Sequence, residues 1–195
     1  MNKYFSVDKE TGEEKCLVKY LQGNPKDYRY DGRDGSFKLG ANPIIDEKGK
    51  VLKTFSLTPM AFRVFEENLF GRGRKENWIE LFFIDEKNAL SCIMFNGTSA
   101  SSLQNLQREI FYEDLSLCDV KLTVSGVEKS NDKGKWSQAM FTAEPIAPEE
   151  RQNLREVEEK LQPFCNDTLT DTAVYALSEG SCFQVHKNEM LQLEA

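Results

Sequence analysis

Arg72, Arg74 and Lys75 stand within four residues of one another in FGRGRKENW, residues 70–78, between Phe70 and Trp78. Guanidinium and ammonium groups pair with phosphate oxygens, and aromatic faces stack on bases. Gly71 and Gly73 let the backbone between the cations turn in ways other residues resist. The plain alternative is a solvated loop tip, for which lysine and glycine are the ordinary choice.

Other chemistries find little material. His186 is the single histidine, so no Ser/His/Asp or Cys/His arrangement exists outside the C-terminal tail. Cys182 and His186, with Cys165 upstream, have a ligand-like look, but a fourth ligand at usable spacing is missing. The acidic pairs Glu66-Glu67, Asp85-Glu86 and Glu113-Asp114 fall in turns or on polar faces, where solvation explains them. Neither G-x-x-x-x-G-K-[ST] nor G-x-G-x-x-G occurs. The expectation is a non-enzymatic chain with no catalytic residues, no metal and no cofactor.

The elements that would position the cations follow from turn chemistry. Asp46–Gly49, Asp85–Asn88 and Asn131–Gly134 are short polar tips between β-branched and aromatic runs, and DKETGEE, residues 8–14, is a weaker fourth. In WIELFFID, Ile79, Leu81 and Phe83 share one face, and Trp78, Glu80 and Phe82 share the other. Val120, Leu122 and Val124 alternate with Lys121, Thr123 and Ser125, and Gly126 reads as a bulge or bend. Helical spacing appears over 99–115 and again over 147–164. The second starts at Pro148 with two glutamates, carries Leu154, Val157 and Leu161 on one stripe, and stops at Pro163. A short third helix is read over 170–180.

TPMAFRVFEENLFG, residues 58–71, fits either a capped helix or a long bent strand. As a strand it gives the order β-β-β-α-β-β over 51–145, that of the OB-fold, a five-stranded barrel with a helix between its third and fourth strands. As a helix it gives β-α-β-β-α-β, ferredoxin-like, with a strand to spare. The strand is preferred, because long hairpins on both sides of one short helix suit a barrel. The expected fold is therefore mainly β with α (α+β). Residues 1–145 form one β-rich domain, with an OB-like core at 51–145 and added strands at 1–50, and 146–195 form an acidic helical extension.

In that barrel the loops after strands one and four flank the binding face. The first supplies Arg72, Arg74 and Lys75, and the second, EKSNDKGK, supplies Lys129, Lys133 and Lys135. Trp78 and Trp136, the two tryptophans, begin the strands that leave these loops. If Ile79, Leu81 and Phe83 face the core, Trp78 and Phe82 lie partly exposed on the stacking face. A second basic-aromatic stretch, KDYRYDGRDGSFKLG at 26–40, carries Asp27, Asp31 and Asp34 among its cations, which cancel much of its field.

Composition permits this reading. Of 195 residues with net charge −7, residues 146–195 hold 10 acids against 4 bases, while 1–50 and 51–145 are near balance, so acidity is concentrated at one end. The chain has no apolar run near the ~20 residues of a membrane span, and its N-terminus lacks an apolar signal segment. The five cysteines are odd in number and lack metal or redox spacing. A cytoplasmic protein with buried thiols is expected.

The strand order, the basic Gly-containing loop before WIELFFID and the acidic last quarter together resemble single-stranded DNA-binding proteins of bacteria, phages and mobile elements. The resemblance is one of layout over 51–145. It implies an OB-fold, sequence-tolerant binding of single-stranded DNA, or RNA, during replication, recombination or repair, and a C-terminal region that recruits protein partners. By the resemblance Arg72, Arg74, Lys75, Trp78, Phe82, Lys133, Lys135 and Trp136 form the binding set. The chain departs from that family at its tip, NEMLQLEA, which has no dense acidic cluster. The competing expectation is a protein-interaction or structural module, docking through Glu156, Glu158 and Glu159 of the helix at 147–164.

Overall fold

A computed structural model describes residues 2–132, 134–168 and 170–176. The polar tips all become turns. β1 (Phe5–Val7) and β2 (Glu14–Cys16) form the hairpin around DKETGEE. β3 (Lys26–Asp31), β4 (Ser36–Leu39) and β5 (Asn42–Pro43) follow, and the Asp46–Gly49 turn is closed by a single bridge between Ile45 and Val51. The segment that left two readings open is strand over Pro59–Glu67 and loop beyond: β6 (Thr54–Leu57) continues past Thr58 into β7 (Pro59–Glu67). β8 (Glu76–Ile84) and β9 (Leu90–Asn96) complete a meander, followed by α1 (Gly97–Phe111). β10 (Val120–Asn131) and β11 (Gly134–Pro145) make a long hairpin, and α2 (Pro148–Leu161) ends at Gln162, in the left-handed region, before Pro163. β12 (Val174–Ala176) occupies part of the span read as a third helix, which is therefore corrected there; its remainder, 177–180, lies outside the described residues.

The class is α+β, mainly β, with two α-helices among the described residues. The sheets are open. β12-β7-β8-β9-β3-β4-β5 form the long one, β11-β10-β6 a short one, and β1-β2 a two-stranded third. A barrel would need β9 to pair with β11. Instead β3 pairs with β9 in parallel, Lys26 opposite Ser91 through Arg29 opposite Met94, so that edge is taken by the N-terminal strands. The ferredoxin-like alternative falls with the helix it required at 59–70.

Two cores lie on the two faces of the long sheet. Phe62, Val64, Ile79, Leu81 and Phe83 meet Val120, Leu122 and Val124 of the short sheet, with Leu103 and Ile110 of α1 closing the end. On the other face Met60, Ala61, Phe82 and Cys92 are covered by Tyr4, Phe5 and Val18 and by Leu154 and Val157 of α2. Both faces of β7 and β8 are thus dry, which is why PMAFRVFEE and WIELFFI read as nearly unbroken apolar runs.

Within this layer Arg63 and Glu80 form an ion pair, directly opposite in register and both wholly buried, with Nη2 2.5 Å from Oε2. A strap after α2 covers them. Phe164 donates its N–H to the Tyr20 hydroxyl, which donates to the Phe164 carbonyl, and Asn166 N–H donates to Gly23 O at 2.8 Å. Thr168 Oγ1 donates to Glu80 Oε2 at 3.2 Å. Thr170 and Thr172 both donate to Glu67 Oε2, the latter at 2.6 Å. Gly126 is no bulge, since it stays in register with Ala139. It is glycine because a Cβ there would sit 2.4 Å from Ser137 Oγ and 2.8 Å from Tyr30 Oη, where the β3–β4 tip docks on the long hairpin.

Candidate nucleic-acid interface

The loop between β7 and β8 turns through three residues of positive φ, Phe70 at 57°, Gly71 at 65° and Gly73 at 77°. Nothing lies near a Cβ at either glycine, so the requirement is conformational. The turn leaves Arg72, Arg74 and Lys75 exposed. Glu76 holds both arginines: Arg72 Nη1 is 3.1 Å from Oε2 and Arg74 Nε 3.1 Å from Oε1. Asn96 Nδ2 donates to the same carboxylate at 2.6 Å. Burial opposes ionisation of Glu76, yet the Asn96 hydrogen bond and the two guanidiniums outweigh it and hold its carboxyl below the ordinary value. Lys75 Nζ donates to the Thr172 carbonyl at 2.7 Å, which ties the loop to the strap.

The aromatic members are redistributed. Trp78 is 3% exposed and donates Nε1–H to the Glu67 carbonyl at 3.0 Å, among Phe65, Leu69 and Ala173. Phe82 is wholly buried in the second core. Neither presents a face for stacking, because α2, the N-terminal hairpin and the strap build a third layer over strand β8. The exposed aromatic is Phe70, 59% accessible, its ring edge-on to Trp78 at 5.7 Å, with the Arg72 guanidinium over Trp78 at 5.2 Å. Its exposure comes from the turn: β7 ends at Glu67, and Phe70 at φ 57° starts the loop that leaves the sheet.

At the other hairpin Lys129 lies opposite Trp136 in register. Lys129 is exposed and Trp136 half-buried. Lys135 Nζ pairs with Glu128 Oε1 at 2.9 Å, both exposed. Lys133 lies outside the described residues. The N-terminus of α1 joins the hairpins: Asn96 reaches Glu76, Gln138 Nε2 donates to Thr98 O at 3.1 Å, and Ala139 N–H donates to Ser99 Oγ at 2.9 Å. The β3–β4 tip extends the line, with Ser137 N–H donating to Gly32 O at 2.7 Å and Tyr30 bonded to Ser137. Its Arg29 and Lys38 pair with the neighbouring acids Asp27 and Asp31, and its Asp34 pairs with Lys53, which precedes β6.

The glutamates of α2 are partly engaged within the chain: Glu156 accepts from Asn2 Nδ2 at 2.8 Å, and Glu159 pairs with Arg155. Burial raises the carboxyl of Glu158 above its ordinary value. Cys182 and His186 lie outside the described residues. No helix among the described residues is long and apolar enough to cross a membrane. Comparisons with models of known families, with curated proteins and with solved structures find no match to this chain.

Proposed function

We propose that the chain binds single-stranded nucleic acid, DNA or RNA, without strong sequence preference, in replication, recombination or repair. The observation that carries the proposal is the exposed tip at 70–75, where three cations and Phe70 project together, continuous through the α1 N-terminus with Lys129, Lys135 and Trp136. Phosphates run past the cations while bases stack on Phe70 and Trp136. The pairings β7–β8, β8–β9, β6–β10 and β10–β11 support reading the body as an opened relative of the OB barrel.

Salt sets the scale. For single strands log K falls with log salt at about −0.7 per phosphate neutralised. Glu76 and Glu128 offset part of the charge, so roughly three to five cations are effective. From about 50 to 200 mM salt the affinity should then fall on the order of 20- to 100-fold. The test is anisotropy of a labelled ~30-nucleotide dT strand at both salts. Arg72→Glu, Arg74→Glu and Lys75→Glu together should abolish binding with an unchanged circular dichroism spectrum. Unchanged affinity in that folded variant would sink the proposal.

A second reading, a protein-interaction module, is favoured by Phe111 and Tyr112, an exposed pair 57% and 84% accessible at the end of α1. Binding there would depend little on salt and would survive the charge reversal.

A further inference from the structure

The strap brings Cys165 onto the sheet beside Cys92 of β9, a residue 73 positions earlier in the chain. The two sulfurs and a carboxylate oxygen of Glu80 all lie within 4.8 Å of one another. Cys92 is 2% exposed, Glu80 is wholly buried, and Cys165 closes the cluster on its outer side, half-buried. Glu80 Oε2 is committed to Arg63 and Thr168, whereas Oε1, equally buried, has no hydrogen-bond partner. A buried carboxylate oxygen without a donor is costly unless something else approaches it.

We propose that Cys92, Cys165 and Glu80 bind a thiophilic divalent cation of the zinc type. Two thiolates and one carboxylate are a donor set such an ion takes, and three protein ligands leave one position for water. Charge balance explains how the site tolerates both Arg63 and a cation. With both thiols protonated, Glu80 and Arg63 cancel. Replacing the two thiol protons by one divalent ion adds two positive charges and creates two negative ones, so the buried cluster stays neutral. The ion would clamp the strap to the sheet above the Arg63–Glu80 pair. Chain spacing gave no hint of this: Cys165 looked toward Cys182 and His186, whereas the fold delivers it to Cys92.

The experiment uses the full chain, reduced and stripped with a chelator, then titrated with Co2+. The expected result is one equivalent bound, with a thiolate-to-cobalt charge-transfer band in the near ultraviolet that Zn2+ abolishes, and release of two protons per metal. Cys165→Ser, at the outer edge of the site and conservative in size, should fold and lose the band. Cys118→Ser, whose thiol lies in the other core, should keep it. A band that survives Cys165→Ser, or none at a large excess of cobalt while both thiols titrate as free, overturns the proposal. So does a Cys92–Cys165 disulfide, two mass units lighter, in protein that takes up no metal when reduced.

Discussion

Replacing Arg63 by methionine in the reduced, metal-free protein tests whether the second face of the sheet is as dry as its packing implies. The substitution keeps an unbranched side chain between Phe65 and Phe82, over whose rings the guanidinium lies at 5.1 and 6.0 Å. It removes the charge 2.5 Å from Glu80 Oε2, where both side chains are wholly buried. What remains is a carboxylate out of water, held by Thr168 alone among its present partners at Oε2. Breaking a buried pair in this one-sided way costs about 3–5 kcal/mol. In a chain of this size that lowers Tm by about 6–20 °C, at roughly 2–4 °C per kcal/mol. Burial already raises the Glu80 carboxyl and the Arg63 charge opposes the rise, so losing Arg63 moves it further up. A folded-state value above the unfolded one means that the folded state takes up the proton first. The deficit should therefore be smallest near pH 5 and grow as pH rises through the folded-state value toward 8. Urea midpoints at both pH values, for Arg63→Met, Glu80→Met and the double variant, give the coupling. The double variant should be more stable than either single one. If it is no better than Arg63→Met, or if Arg63→Met stays within about 1 kcal/mol of the parent at both pH values, the pair is hydrated in solution and the reasoning fails.

Four further outcomes are expected. Hydrogen bonds from Thr170, Thr172 and the Asn68 N–H lower the Glu67 carboxyl to about 2. Its stabilising contribution is full above the unfolded carboxylate value and lost as pH falls through about 2, so the strap should loosen over that window, followed by Trp78 emission; Glu67→Gln should be weakened beforehand and flat across it. Gly126→Ala forces a methyl group against Ser137 Oγ and Tyr30 Oη. It should cost about 1–3 kcal/mol by urea denaturation, and a change below about 0.5 kcal/mol would show that the β3–β4 tip does not sit on the hairpin. With two tryptophans, quenching by dT strands should persist in Trp78→Phe and vanish in Trp136→Phe; the reverse pattern would mean that the buried indole is reached after all. Phe70→Ala should weaken the same strands by about 1–3 kcal/mol per stacked base.

Local chemistry determined a good deal. Asp85–Asn88 and Asn131–Gly134 became tips because Asn88 can take a positive φ and Gly134 sits opposite Asn131 at the hairpin end. Pro148, two glutamates and Pro163 bounded α2, and its Leu154 and Val157 are buried as their spacing required. The inward face of β8, Ile79, Leu81 and Phe83, was legible from period two alone. These features depend on neighbours a few residues away, which a sequence displays directly.

Tertiary structure decided the rest. Trp78 and Phe82 have the alternation of an open face whether or not something covers it, and only the arrival of α2, the N-terminal hairpin and the strap buries them. That β3 rather than β11 pairs with β9 is a competition between distant segments for one edge, and no local preference records it. The same holds for the clustering of Cys92, Cys165 and Glu80, whose separations along the chain match no ligand spacing. Period and turn type fix which way a side chain points from its own strand. What waits on that side is set by which layers the whole chain can bury together.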